Sequence, residues 1–322
     1  ILGAVEKACA ILKNYRKTKR KVKEVRRPYV VKPFASLGNQ AYTIKDGLLK
    51  LPIQPRRYIE TPLNEYVKKV LSNPGLKLGS ITLTASTLTI SFSKGTAEVE
   101  PSGYVGLDRN LDNVTIATSD GEVIKYDLSE CTKIKSVYRV VKSRLRRNDV
   151  RIRRWIFSKY GRLERDRVIQ RLHKVSKDIV MEAKEKGYGI VMEKLKGIRK
   201  LYRKGNGQGR NYRARMNSWS YYELQRQIEY KAKWEGLKVI YVDAKGTSSL
   251  CAICGSRLNP NSTDRQLWCP KCKISIDRDL NAARNILARG LRFGPNGLAF
   301  EGMMAERLRP NPSTRCGEVN SS

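Results

Sequence analysis

Two apolar runs in this sequence end in a carboxylate. Tyr104–Leu107 leads into Asp108, and Ile190–Met192 leads into Glu193. A third acid, Asp279, opens a helical stretch that continues through Asn281, Ala282 and Ala283. Carboxylates gathered from elements far apart in sequence are the ligands that a hard cation such as Mg2+ or Mn2+ takes. Two such ions about 4 Å apart activate water and stabilise the leaving oxygen in phosphodiester hydrolysis. Taken singly, each acid has an ordinary reading, because acids are common at strand ends and Asp is a favoured helix cap. Their joint order on strand, strand and helix points instead to a metal-dependent nuclease. Asp277 competes with Asp279 for the third position, since the two flank Arg278. Asp279 is preferred because it lies on the helix itself, which leaves Asp277 as an N-cap. Asp112 is a weaker fourth candidate, and Asp264 reads as a surface residue.

The cysteines carry a second chemistry. Of seven, four form the pairs Cys251-Ala-Ile-Cys254 and Cys269-Pro-Lys-Cys272, with 14 residues between the pairs. Four thiolates so spaced suit tetrahedral Zn2+ held by two knuckle turns, and Gly255 stands where the first knuckle favours glycine. A closed four-sulfur site is structural rather than catalytic. A redox dithiol would have one CxxC and no second pair. Cys9, Cys131 and Cys316 are isolated, and the odd count fits a reducing compartment better than a disulfide scaffold. The one histidine, His173, falls in a helical stretch and reads as a packing or hydrogen-bonding residue. No GxxxxGK[ST] phosphate loop is present, which argues against an ATPase.

Charge names the partner class. Sixty-five Lys and Arg against 30 Asp and Glu give a net +35 over 322 residues. A folded chain so charged repels itself unless a polyanion neutralises it, and the basic residues are spread along the chain rather than gathered in one juxtamembrane cluster. Nucleic acid is the expected partner and a membrane is not; no apolar run approaches the ~20 residues a span requires. Arg146, Arg147, Arg151, Arg153 and Arg154 are candidates to line a polyanion channel, with Trp155 or Tyr160 as stacking residues. The first residue is Ile1 rather than Met, so the chain is expected to begin within a longer protein.

These groups need elements to position them. A basic-ended helix is expected over residues 3–24. Short β-type runs split by Pro and Gly follow over 28–100, among them Ile81–Leu83 and Leu88–Phe92, which alternate as a half-buried antiparallel pair should. From Tyr104 three strands form a meander, with Ser119-Asp120-Gly121 as a hairpin turn. Residues 140–185 read as helical, 190–192 as a strand, 196–216 as a mobile loop, 218–235 as a helix, 237–242 as a strand and 279–289 as a final helix. The order β-β-β-α-β-α-β-insert-α is that of an RNase H-like α/β fold, a mixed sheet with the zinc ribbon inserted. The residues leave two other functions open. One is a non-catalytic zinc-ribbon regulator that binds nucleic acid, against which the intact acidic set speaks. The other is a strand-joining transposase with the same fold and metals, against which the lack of a visible end-binding domain speaks.

Four stretches together resemble the TnpB (OrfB) proteins of insertion sequences, compact relatives of the type V CRISPR effectors. They are Gly106-Leu107-Asp108, Val191 to Leu195, Thr247 to Gly255 and Asp277 to Ile286. The resemblance covers residues 100–290 well and 28–100 loosely. It implies a split RuvC-type nuclease at 101–246 and 276–292, with Asp108, Glu193 and Asp279 as Mg2+ (or Mn2+) ligands. It also implies a zinc ribbon at 247–275 with one structural Zn2+, a wedge-like β-barrel at 27–100, a remnant of a helical recognition domain at 1–26 and a disordered tail at 293–322. Arg278 joins the nucleic-acid contacts. The implied activity is RNA-guided cleavage of target DNA in a prokaryotic cytoplasm, at the nucleoid, with the guide RNA transcribed from the transposon end. The sequence leaves the oligomeric state open.

Overall fold

Close seating of a helix on a sheet needs a strand position without a side chain, and Gly106, between Tyr104 and Asp108 on one face of its strand, is such a position. A computed structural model describes residues 2–22, 24–29, 33–145, 149–195, 197–203, 205–261 and 265–292. The expected disordered tail, Asp264 and Cys316 lie outside the described residues. The chain divides into two compact units, one up to Gly95 and one from Thr96 onward.

The first unit holds α1 (Leu2–Lys19), β1 (Phe34–Leu37), β2 (Thr43–Lys45), β3 (Leu48–Gln54), β4 (Arg57–Pro62), α2 (Glu65–Leu71), β5 (Leu76–Thr84) and β6 (Leu88–Lys94). The strands form two antiparallel sheets, β1-β5-β6 and β2-β3-β4. Asp46 and Gly47, both at positive φ (52° and 74°), make the two-residue turn that joins β2 to β3. Period-two alternation places Leu49 and Leu51 on the inner face of β3, where they share a core with Tyr42, Leu63 and Ile81.

The second unit opens with β7 (Gly103–Arg109), β8 (Asn113–Thr118) and β9 (Val123–Asp127), followed by α3 (Ser129–Ser143) and α4 (Phe157–Glu185). Then come β10 (Tyr188–Glu193), α5 (Arg210–Asn217), α6 (Tyr221–Trp234) and β11 (Val239–Val242). β12 (Asn259–Pro260), β13 (Gln266–Cys269) and β14 (Ile274–Asp277), set among the paired cysteines, form their own sheet, and α7 (Arg278–Leu291) closes the unit. The main sheet runs β11-β10-β7-β8-β9. β7, β8 and β9 pair antiparallel, whereas β10 lies parallel to both β7 and β11.

Alternation along the strands sorts side chains between two helical layers. Val105, Leu107, Val114, Ile116, Ile190 and Met192 face a core shared with Leu172 and Ile179 of α4 and Leu224 and Ile228 of α6. Tyr104, Ala117, Val191 and Val242 face the other way, against Ala283, Ile286 and Leu287 of α7. Two expectations from sequence are corrected. The helical stretch 140–185 divides into α3 and α4, with a π turn at Ile152–Ile156 ahead of α4. The segment 196–216, read as a loop from its Gly and Lys content, carries a 3-10 turn at Ile198–Tyr202 and the helix α5.

α7 rests directly on the sheet because two glycines allow it. A Cβ on Gly106 would lie 2.5 Å from the Ala283 carbonyl and 2.5 Å from the Leu287 nitrogen, both backbone atoms. A Cβ on Gly290 would lie 2.3 Å from the side chain of Val191. Gly106→Ala must therefore lift a helix rather than turn a side chain. We expect it to cost roughly 1–3 kcal/mol, as over-packing does. Thermal melts of the variant should show a lower midpoint; an unchanged one would mean that α7 is not seated at Gly106.

Candidate active site

The parallel register of β7 and β10 matches Leu107 with Met192. One step further along each strand stand Asp108 and Glu193, on neighbouring strands about 4.8 Å apart. Both point to the α7 face, as Gly106 and Val191 do two residues earlier. α7 begins beside them and contributes Asp279 from its first turn. All three acids are buried: Asp108 to 7 % exposure, Glu193 to 6 % and Asp279 to 6 %. Of the three carboxylates expected from sequence, Asp108 stands within electrostatic reach of both Glu193 and Asp279.

Each carboxylate is held by neighbours that the sequence did not single out for this task. Asn110 donates to Asp108 Oδ2 at 2.8 Å, and Asn113 donates to Asp279 Oδ2 at 3.3 Å. Thr247 Oγ1 donates to Glu193 Oε1 at 2.5 Å, and its own carbonyl accepts from Asn285 of α7 at 2.8 Å. Lys125 of β9 approaches Asp279 to 3.6 Å, and Arg265 approaches it to 3.3 Å. The signal that could have found Thr247 is its place in the run that opens the cysteine unit. Asn110 sits in the turn after β7 and Asn113 opens β8, both within reach of that strand end.

Burial pushes the Asp108 carboxyl up to about 7, and the charges of Glu193 and Asp279 add to the rise. Asn110 and the Arg278 guanidinium oppose it. Burial also raises Glu193, against the pull of Thr247 and Arg109. A buried carboxyl raised by the charges of two other buried acids belongs to a donor set that a divalent cation would satisfy.

Asp277 takes a different role from Asp279. Its carboxylate accepts from the Asp279 and Leu280 amides, both at 2.9 Å, and so caps α7. Asp112 accepts from Thr132 at 2.8 Å and from Arg215 at 3.0 Å, ties that join the turn after β7 to α3 and α5. His173 lies with Nδ1 3.3 Å from the Tyr230 hydroxyl, a helix-to-helix contact between α4 and α6.

The four paired cysteines converge, and their sulfurs all lie within 4.8 Å of one another. That spacing suits a tetrahedral ion with metal–sulfur distances near ~2.3 Å. Each knuckle turns through a residue in the left-handed region just after its second cysteine, Gly255 at φ 72° and Lys273 at φ 54°. The three carboxylates are not drawn together so closely.

Of the basic residues proposed from sequence as nucleic-acid contacts, Arg151, Arg154 and Arg278 are exposed. Arg151 and Arg154 flank Trp155, which is 72 % exposed at the π turn. Arg146 and Arg147 lie outside the described residues, as does the side chain of Arg153. No helix among the described residues is long and apolar enough to cross a membrane.

Comparison with known proteins places these features in context. Residues 221–286 match a family model described as Cas12f1-like, TNB domain. The chain is 33 % identical over 263 residues to the TnpB-like protein MJ0751 of Methanocaldococcus jannaschii, covering 76 % of this chain and 92 % of that protein. It is 36 % identical over 116 residues to the CRISPR-associated endodeoxyribonuclease Cas12f1 of Sulfoacidibacillus thermotolerans, covering 35 % of this chain and 25 % of that one. A putative RNA-guided DNA endonuclease of Streptomyces pristinaespiralis is 31 % identical over 193 residues, covering 58 % of this chain and 45 % of the other. The chain therefore spans nearly all of the first relative and less than half of the other two.

Proposed function

The chain belongs to the TnpB-like family, and from that premise we propose that it is a transposon-encoded, RNA-guided DNA endonuclease that cleaves phosphodiester bonds with divalent metal. The observation that carries this reading is the convergence of Asp108, Glu193 and Asp279, three buried acids from two strand ends and a helix start. Relatives named as RNA-guided or CRISPR-associated endonucleases support it. On this reading the mixed sheet of the second unit is a RuvC-type nuclease fold of the RNase H-like class. The paired sheets of the first unit are a wedge-like barrel, and α1 belongs to a recognition domain.

Asp108, Glu193 and Asp279 would hold Mg2+ or Mn2+. When bound, these ions would supply Lewis-acid polarisation of the phosphodiester and lower the pKa of an attacking water. The protein's own groups do the positioning. Thr247 fixes the rotamer of Glu193, Asn110 that of Asp108 and Asn113 that of Asp279. α7, seated on Gly106, carries Asp279 in its first turn against the sheet that bears Asp108 and Glu193. Arg278, Arg151 and Arg154 present positive charge to backbone phosphates, with Trp155 free to stack on a base. Arg146, Arg147 and Arg153 belong to the same proposed channel. Base pairing with a guide RNA from the transposon end would read the target sequence, and the protein would read backbone and shape. The four cysteines would hold one structural Zn2+. Such a protein acts in the prokaryotic cytoplasm, at the nucleoid.

The test is cleavage of target DNA by purified protein co-expressed with RNA from its own transposon end. Wild type is expected to cut in Mg2+, and Asp108→Ala is expected not to cut. Equal cutting by both would reject the carboxylate site. Cutting without RNA would reject guidance while leaving the nuclease intact. Tight DNA binding with no cutting would favour the non-catalytic regulator, and joining of DNA ends would favour the transposase.

A further inference from the structure

Arg109 is the last residue of β7, and its side chain is the largest among those wholly buried, at 1 % exposure. Burying a guanidinium is costly unless its donors are used. No carboxylate contacts it directly among the described residues. One end donates to the backbone carbonyl of Glu193 and the other to Gln225 Oε1 of α6, at 2.8 Å. Gln225 in turn donates to the Tyr241 hydroxyl of β11 at 3.1 Å, and that hydroxyl donates to Glu229 of α6 at 3.1 Å.

The place of these bonds is informative. The β7–β10 register ends at Leu107 and Met192. At the next step, where the strands carry Asp108 and Glu193, the Arg109 side chain reaches across to β10. Arg109 leaves the sheet on the α4/α6 side, as Leu107 does, while Asp108 leaves on the α7 side. The guanidinium thus grips the Glu193 main chain from one side, while the carboxylate is held by Thr247 on the other. A planar fork can hold two acceptors in fixed directions at once, which an ammonium cannot.

We propose that Arg109, aimed by Gln225, is a positioning residue that pins the end of β10 beside β7 and so sets the gap between the Asp108 and Glu193 carboxylates. This rests on the reading of those two acids as metal ligands. Outer partners of metal ligands change affinity or activity by ~10–100-fold when replaced.

The test compares wild type, Arg109→Lys, Gln225→Leu and Asp108→Ala as RNA-loaded protein. Four quantities are read: single-turnover cleavage rate, target DNA affinity, melting temperature and Mn2+ affinity by calorimetry. Arg109→Lys keeps the charge and loses the fork; Gln225→Leu keeps the arginine and loses its aim. Both are expected to weaken Mn2+ binding about 10-fold and slow cleavage ~10–100-fold, with target affinity unchanged. Mn2+ affinity and rate at wild-type values in both variants would overturn the proposal. So would losses that only track the unfolded fraction, which is what a purely structural arginine would give. Failure of the parent reading looks different. Wild type would then not cut, or Asp108→Ala would take up Mn2+ as wild type does, and the Arg109 proposal would fall with it.

Discussion

Asp279→Asn should abolish DNA cleavage, and Asp277→Ala, two residues away, should leave it within a few-fold of wild type. Both acids stand at the start of α7, yet their surroundings differ. The Asp277 carboxylate is occupied by the Asp279 and Leu280 amides, each at 2.9 Å, and its work is the helix cap. Losing a cap costs about 1 kcal/mol of stability and removes no group from the site. Asp279 is 6 % exposed, lies near enough to Asp108 for its charge to raise that carboxyl, and is held by Asn113 and by the cations Arg265 and Lys125. The amide of Asn is close in shape to the carboxylate, so the fold should survive the change. On the proposed reading the change removes an anionic ligand, and a loss of several kcal/mol in transition-state stabilisation lowers the rate on the order of 10^3-fold or more. Rates with Mg2+ and melting temperatures of the two variants decide the matter. A dead Asp277→Ala beside an active Asp279→Asn would exchange their roles.

Asp108 and Glu193 could be read from sequence because both close an apolar run, and a run buried on both faces has few alternatives to a central strand. The hairpins and the α6 and α7 helices were legible from period and turn residues. The supporting shell was not. Thr247, Asn110 and Asn113 are small polar residues in or beside turns, where the same types serve local hydrogen bonds. Only the fold shows that theirs run to acids more than 50 residues away in the case of Thr247. Arg109 was hidden for a related reason. In a chain of +35 one more arginine carries no signal, and its burial follows from α6 folding over the strand end. The close seat of α7 was half visible. The small Ala282 and Ala283 mark the helix side of that seat, but nothing in the sequence shows that Gly106 of β7 receives the Ala283 backbone or that Gly290 of α7 itself lies against Val191 of β10. The segment 196–216 was misread because its Gly and Lys content outweighed a short helical stretch, Arg210–Asn217, that gains its order from contacts such as Arg215 with Asp112.

Removing zinc should disable the nuclease site although no cysteine touches it. The ribbon has little else to hold it together. β12 has two residues, β13 and β14 four each, and the core beneath them is Leu258 and Ile276 with the cysteines, ringed by the half-buried Ile253, Leu267 and Ile274. So small a module needs its metal to fold, and apparent zinc binding of roughly 10–16 kcal/mol is folding energy in such units. The path to the site is short. β14 ends at Asp277 and α7 begins at the next residue, Arg278. Asn281 of α7 donates to the Leu250 carbonyl at 2.8 Å and accepts from the Ala252 amide at 2.9 Å, while Asn285 donates to Leu250 and Thr247. The segment that leads into the first cysteine pair is thus bonded to the helix that carries Asp279, and Thr247 in that segment holds Glu193. Loss of the ribbon would free two of the three carboxylates at once. Cys251→Ser, or a strong chelator on wild type, should release one zinc per chain, lower the melting midpoint and reduce cleavage at least 10-fold, a loss of at least ~1.4 kcal/mol in transition-state stabilisation. Restored zinc should recover the chelated wild type but not the variant. If cleavage persists in zinc-depleted protein, the ribbon and the acids are independent, and the hydrogen bonds between α7 and residues 247–252 do not carry the coupling assigned to them here.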